Sequence, residues 1–292
     1  MKLLVPADFT EITNPLLRLA KAIAVAHQAE VYLLHTVSPV LYLPYPESFG
    51  MNVVDLELVA ELQKKRQEEA REKLTALAEY LKPIKVEILV EVGDPAEAIL
   101  EKEELADLVL MGSHRKGLVE RILVGSTTEK VVKYTKKPVL VLKGKEPEGF
   151  KKVLVCYDFS EHAQRALDFA LKLLAPFKSH IVLLHVEETI EIPVVENLKD
   201  LLSERYREEK LRLLDRLVED IKAKGFGAEK AVLESTSPVE GIKEYLRKTP
   251  DVELVVMGSR GLSGLQRVLL GSTSSNLIRS LDLPMLVHRS VE

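Results

Sequence analysis

The chain has 292 residues, more than one hydrophobic core usually serves, so two domains are expected. Its 41 Lys and Arg stand against 45 Asp and Glu, a net charge of -4, and no global positive field marks it for nucleic acid. A single cysteine, Cys156, excludes an intramolecular disulfide and a cysteine-built zinc site, which fits a reducing compartment.

The start, MKLLVPADF, is apolar only as far as Val5. Pro6 and Asp8 interrupt it where a signal peptide continues, and no apolar run elsewhere reaches the roughly 20 residues that span a bilayer, so a cytoplasmic protein without a membrane partner is expected. Leu3 to Val5 predicts a first strand, and Thr10 then caps a helix that buries Leu16, Leu19 and Ile23. VYLLH, ending at His35, is a second strand. Ser38 to Asn52, SPVLYLPYPESFGMN, is a lid, a partner surface or simply a packed loop. Residues 55 to 81 follow as a long amphipathic helix with Leu58, Leu62, Leu74, Leu77 and Leu81 on one side, and with Glu61/Lys65 and Glu69/Lys73 as i,i+4 pairs on the wet side. Val86 to Val90, Leu108 to Met111 and Val139 to Leu142 complete a set of five strands, with helices between them.

The chain then repeats itself. KLLVPADFTE from Lys2 meets KVLVCYDFSE from Lys152, and VYLLH meets IVLLH, which ends at His185; both match at an offset of 150 residues. At an offset of 146, LVLMGS (Leu108 to Ser113) meets LVVMGS (Leu254 to Ser259), VGST (Val124 to Thr127) meets LGST (Leu270 to Thr273), and KPVLVL meets LPMLVH. In the second copy Ser160 caps a helix burying Ala166, Leu167 and Leu171, residues 197 to 224 form the long helix, and the later strands fall at Ala231 to Leu233, Leu254 to Met257 and Met285 to Val287. Cys156 sits on a strand as a small core residue. So long a period means domain duplication and not a solenoid. GKEPEGFK, residues 144 to 151, is the linker between domains 1–145 and 150–292.

Near-continuous apolar strands separated by helices predict an α/β class with a parallel sheet covered on both faces. Ligands in such sheets sit beyond the C-terminal strand ends where strand order reverses, which directs attention to the loops after strands one and four. There the C-terminal half reads Gly258-Ser259-Arg260-Gly261, nine residues, then Gly271-Ser272-Thr273. Glycines admit positive φ and let backbone amides approach an anion, and the second cluster opens a helix whose free N–H groups favour phosphate. No P-loop and no dinucleotide fingerprint is present. The alternative is that these glycines only shape turns and helix ends.

Asp158 after strand one, LLHV (Leu183 to Val186) on strand two, and MGS…G…GST together resemble the nucleotide-binding branch of the universal stress protein family, over nearly the whole chain. The resemblance implies two repeated α/β/α sandwich domains of the adenine nucleotide alpha hydrolase-like kind, each with a five-stranded parallel sheet of order 3-2-1-4-5, paired through strand five about an intrachain pseudo-twofold axis. It also implies ATP or AMP as ligand, with Mg2+ arriving on ATP, and a homodimer or an unknown protein partner. Carried over residue by residue, Asp158 and the Val186 backbone hold the adenine end, with Met257 at its edge. Gly258 and Gly261 then give the ribose and phosphate approach, and Gly271, Ser272 and Thr273 the phosphates. A helix-capping carboxylate is the alternative for Asp158, and a core methionine for Met257.

The N-terminal half keeps Asp8, Gly112, Gly125, Ser126 and Thr127 but has Thr36 for the valine and Arg115 for the second glycine. Arg115 either strains the turn, which Gly117 rebuilds, or offers its guanidinium to phosphate; a surface arginine is the plain alternative. Arg121 and Arg267 coincide in the nine-residue spacers, facing phosphates or solvent. His35 and His185 are expected as hydrogen-bonded core residues, and no metal site is expected from the protein alone. The functional expectation is a nucleotide-binding stress-response regulator. A weak ATPase or adenylate-handling enzyme and a nucleotide-free interaction scaffold are the alternatives.

Overall fold

The computed structural model describes residues 1–40, 56–113, 125–143, 146–189, 196–259 and 271–289. The first copy contributes β1 (Lys2–Pro6), α1 (Thr13–His27), β2 (Glu30–Val37), α2 (Leu56–Leu81), β3 (Val86–Val92), α3 (Pro95–Lys102), β4 (Leu108–Gly112), α4 (Ser126–Tyr134) and β5 (Val139–Leu142). The second contributes β6 (Lys152–Cys156), α5 (Glu161–Leu174), β7 (His180–Glu188), α6 (Glu196–Ala223), β8 (Gly227–Ser235), α7 (Pro238–Lys248), β9 (Leu254–Gly258), α8 (Ser272–Ser280) and β10 (Met285–His288).

Two compact units result. One holds Met1–Gly112 and Ser126–Lys137, with strands in the order β3-β2-β1-β4, all parallel. The other, continuous from Pro138 onward, has β8-β7-β6-β9-β10 parallel, which is the order 3-2-1-4-5 of its own repeat. It also holds β5, the last strand of the first copy, which lies antiparallel to β10 with Leu140 opposite Leu286.

The sheets are buried because their strands are apolar on both faces: Leu3, Leu4 and Val5, and likewise Val153, Leu154 and Val155, are closed to solvent. α5 packs on β9 and β10, α6 on β8, and α7 on β7 and β8. In α2 only Leu74 and Leu81 of the expected apolar row are fully buried; Leu58 and Leu62 are 50% and 43% exposed, so the N-terminal turns of that helix leave the sheet. The expected Glu/Lys pairs do not form there among the described residues. Lys64 pairs instead with Glu68 at 3.8 Å, and Lys73 lies over the Phe9 ring.

One charged side chain lies inside the second unit. Lys143, just after β5, is closed to solvent and donates to the Leu281 carbonyl at the end of α8. Burial pushes its ammonium down to about 8, opposed by the charge of Asp282.

Candidate functional site

Both copies turn sharply after their first strand, at Asp-Phe-Thr and Asp-Phe-Ser. The middle residue takes a left-handed conformation, φ 59° at Phe9 and 63° at Phe159, which costs a non-glycine residue about 1 kcal/mol. Ring packing offsets it: Phe9 stacks on His35 at 4.4 Å and Phe159 meets His185 edge-on at 4.8 Å. Each histidine is fixed in turn by its Nδ1, 2.7 Å from the Ala7 carbonyl and 2.8 Å from the Tyr157 carbonyl, so Nδ1 carries the proton. Burial holds His185 below the usual histidine range, and its neutral Nε2 is buried without a hydrogen-bond partner among the described residues.

The kink brings the aspartate back onto its own chain. Asp158 Oδ1 accepts from the Ser160 N–H at 3.0 Å and from the Ser160 hydroxyl at 2.5 Å, while Asp8 Oδ1 accepts from Thr10 twice and from Thr13. Asp158 is therefore not the cap of α5. Ser160 is, accepting the Ala163 N–H at 3.1 Å. The corresponding expectation fails at Thr10: α1 begins only at Thr13, with Ile12 at its N-cap and no side-chain cap, and the hydroxyls of Thr10 and Thr13 both donate to Asp8.

The glycines after strand four act otherwise than expected. Gly112, Gly125, Gly258 and Gly271 all avoid positive φ. Gly258 is a glycine because a Cβ there would lie 2.8 Å from the His162 carbonyl carbon, against the backbone of α5, and at Gly112 it would meet the Ile12 side chain at 2.8 Å. Their demand is for close approach of a helix. Among the described residues, nothing lies within 4 Å of a Cβ at Gly125.

Gly271 starts α8, and among the described residues no side chain caps its first-turn amides. It is positioned by its own N–H, donated to the Ser259 carbonyl at 2.7 Å, and the buried Ser274 hydroxyl donates to the Gly258 carbonyl at 2.9 Å. Helix start and strand end are thereby tied together. Thr128 repeats that bond to Gly112 at 3.3 Å. Ser272 and Thr273 face a cavity of about 570 Å³ shared with Glu188 at the end of β7, with Ser237 and Glu240 at the start of α7, and with Asn276. In the first unit the corresponding ground is crossed by a clasp, in which Lys130 of α4 sits 3.1 Å from both Asp94 and Glu97 of α3. Asn276 and Ser237 stand where the first copy has Lys130 and Asp94.

Among the remaining expected residues, Val186 is half-buried near the end of β7, with the face of α7 against it at Gly241, and Thr36 has the matching place on β2. Met257 is buried on β9 beside Val287. Ser126 and Thr127 open α4. Gly261, Arg115, Gly117, Arg121, Arg267 and most of the Ser38 to Asn52 stretch lie outside the described residues. Burial and Asp158 push the Cys156 thiol up to about 12, so it stays protonated and inert. Among the described residues no cluster of three metal-ligating side chains occurs, and no helix is long and apolar enough to cross a membrane. Sequence reasoning missed the Phe–His stacking, the Ser274 and Thr128 hydroxyls, and the second-copy cavity; only the repeat alignment, which puts Asn276 against Lys130, signalled the last.

The family model described as the universal stress protein family matches residues 1–143 and again 149–289. A universal stress protein of Methanocaldococcus jannaschii is 36% identical over 155 residues, 49% of this chain and 95% of that protein. One from Mycolicibacterium smegmatis is 25% identical over 296 residues, covering 98% of this chain and 96% of its own. The crystal structure of a universal stress protein from Archaeoglobus fulgidus superposes with a TM-score of 0.71 at 24% identity, over 99% of this chain and 98% of that one, a likeness of fold.

Proposed function

The chain belongs to the universal stress protein family, and from that premise we propose that it is an adenine-nucleotide-binding regulator whose C-terminal half takes ATP or AMP and changes conformation with occupancy. The observation that carries this reading is the start of α8. Among the described residues no side chain caps the first-turn amides after Gly271, Ser272 and Thr273 add hydroxyl donors beside an open cavity, and the helix dipole favours an anion there. Asp158 supplies an acceptor after β6, the strand beside β9 at the point where strand order reverses. A divalent ion such as Mg2+ would come with the phosphates of ATP. The first copy has the same helix start at Ser126, but Lys130, Asp94 and Glu97 close the neighbouring ground, so occupancy favours the second copy.

Catalytic turnover gains no comparable support. The thiol of Cys156 stays protonated, and the imidazole of His185 is packed under Phe159 with its Nδ1 committed to backbone. Regulation by binding is therefore the better reading of this site.

Calorimetric titration of the full chain with ATP and with AMP tests it. Binding with one dominant site is expected, weakened at least about ten-fold by Asp158→Ala, the loss of one charge-assisted hydrogen bond. Affinity that survives Asp158→Ala and also Ser272→Ala combined with Thr273→Ala rejects the assigned site.

A further inference from the structure

β10 ends at His288, which pairs with Gly258 of β9. Its carbonyl accepts the Ser259 N–H at 2.9 Å, the Ser259 carbonyl accepts the Gly271 N–H at 2.7 Å, and the Gly271 carbonyl accepts the Ser275 N–H at 2.9 Å. The start of α8 therefore hangs from the last residue of β10 through three consecutive backbone bonds.

The His288 side chain leaves toward α5, its ring 5.6 Å from that of Phe169. Among the described residues the charged and titratable groups that face it are His162, Arg165 and Asp168, all on α5, while β9 presents the non-ionisable Met257 and Gly258. Nδ1 is buried and meets no hydrogen-bond partner among the described residues. Burial first, then the charges of Arg165 and His162, push the ring down to about 4, with Asp168 opposing. The ring is thus half-buried and neutral, with its Nδ1 turned inward.

The duplication supplies an internal control. The first-copy counterpart of His288 is Leu142, whose carbonyl accepts the Ser113 N–H at 3.0 Å. The peg is the same, but its side chain cannot take a proton.

We infer that His288 makes the C-terminal nucleotide turn proton-responsive: its neutral ring, seated against Phe169 and the charged face of α5, holds the strand end from which Ser259 and Gly271 hang, and a proton on that ring releases them. The direction follows from linkage. A released ring returns toward 6.5, while the seated ring is held to about 4, so the seated state is fully favoured above 6.5 and loses ground as pH falls toward 4. Its consequence for ligand binding rests on the nucleotide reading above; the opening itself does not.

Amide hydrogen exchange at Ser259, Gly271 and the first turn of α8, corrected for the intrinsic pH dependence, tests it on the nucleotide-free full chain. Between about pH 7 and about pH 5 the opening equilibrium should rise about twenty-fold in the native protein, and this change should vanish in His288→Leu, which carries the first copy's residue. An equal pH response in the two proteins overturns the inference. So does a directly observed ring titration of native His288 with a midpoint at or above about 6.5, the free-histidine value, a measurement that needs no variant. From about pH 7 to about pH 5, ATP affinity should fall more in the native protein than in His288→Leu. The expected exchange behaviour without ATP binding at either pH upholds the proton response and defeats the nucleotide reading.

Discussion

The Lys143 ammonium, sealed from solvent, reaches the Leu281 carbonyl at 3.3 Å, at the C-terminal end of α8. The partial negative charge of a helix C-terminus suits a cation, yet removing an ammonium from water costs more than one such contact returns.

Replacing Lys143 by Met should therefore stabilise the protein at neutral pH, by about 1–2 kcal/mol after allowing for the lost bond to Leu281. The folded state holds this group at about 8 against 10.5, so the unfolded chain binds the extra proton between those values, and native stability rises with pH across that window. Urea denaturation of the native chain and Lys143→Met should show a gap that is widest below about pH 8 and narrows toward about pH 10. A variant less stable at neutral pH would mean that the attraction of the Asp282 charge outweighs the desolvation.

Gly258→Ala and Gly125→Ala should part company. At Gly258 the new methyl would press on the backbone of His162 and Ala163, which cannot rotate away, and a loss of about 1–3 kcal/mol is expected. At Gly125 no described atom lies within 4 Å, and the change should be close to neutral. Denaturation midpoints decide it. Similar losses at both sites would return Gly258 to the role of a turn residue.

Ser274→Ala removes the only hydroxyl bond described between α8 and the Gly258 carbonyl and leaves that carbonyl short of a donor in a buried place, a cost of about 1–2 kcal/mol. Thr128→Val removes a longer bond and should cost less, about 0.5–1 kcal/mol. The Ser274 variant should also bind nucleotide more weakly in calorimetry, because α8 presents its amides from a less fixed position.

The strands and the duplication were readable because they depend on pattern alone: Leu3 to Val5 and Val153 to Val155 are apolar on both faces, and Asp-Phe-Thr and Asp-Phe-Ser recur at a fixed offset. Where the reading failed, a partner distant in sequence had decided. Thr10 looks like a cap, yet α1 starts only at Thr13, and Leu58 and Leu62 extend the apolar row of α2 in sequence although both side chains are exposed. Gly258 looks like a loop glycine, whereas the backbone of α5 is what forbids it a side chain. A left-handed phenylalanine at positions 9 and 159 has no local signal, since the histidine that packs on its ring comes from the next strand.

The antiparallel run of β5 along β10 limits how this protein can be taken apart. A gene fragment that starts at the second repeat inherits β10 with one row of amides and carbonyls bare, and a bare row of that kind recruits whatever extended chain it meets. By carrying its own neighbour for that strand, the duplicated gene keeps the position filled at any dilution, where two separate single-copy chains would have to find each other first.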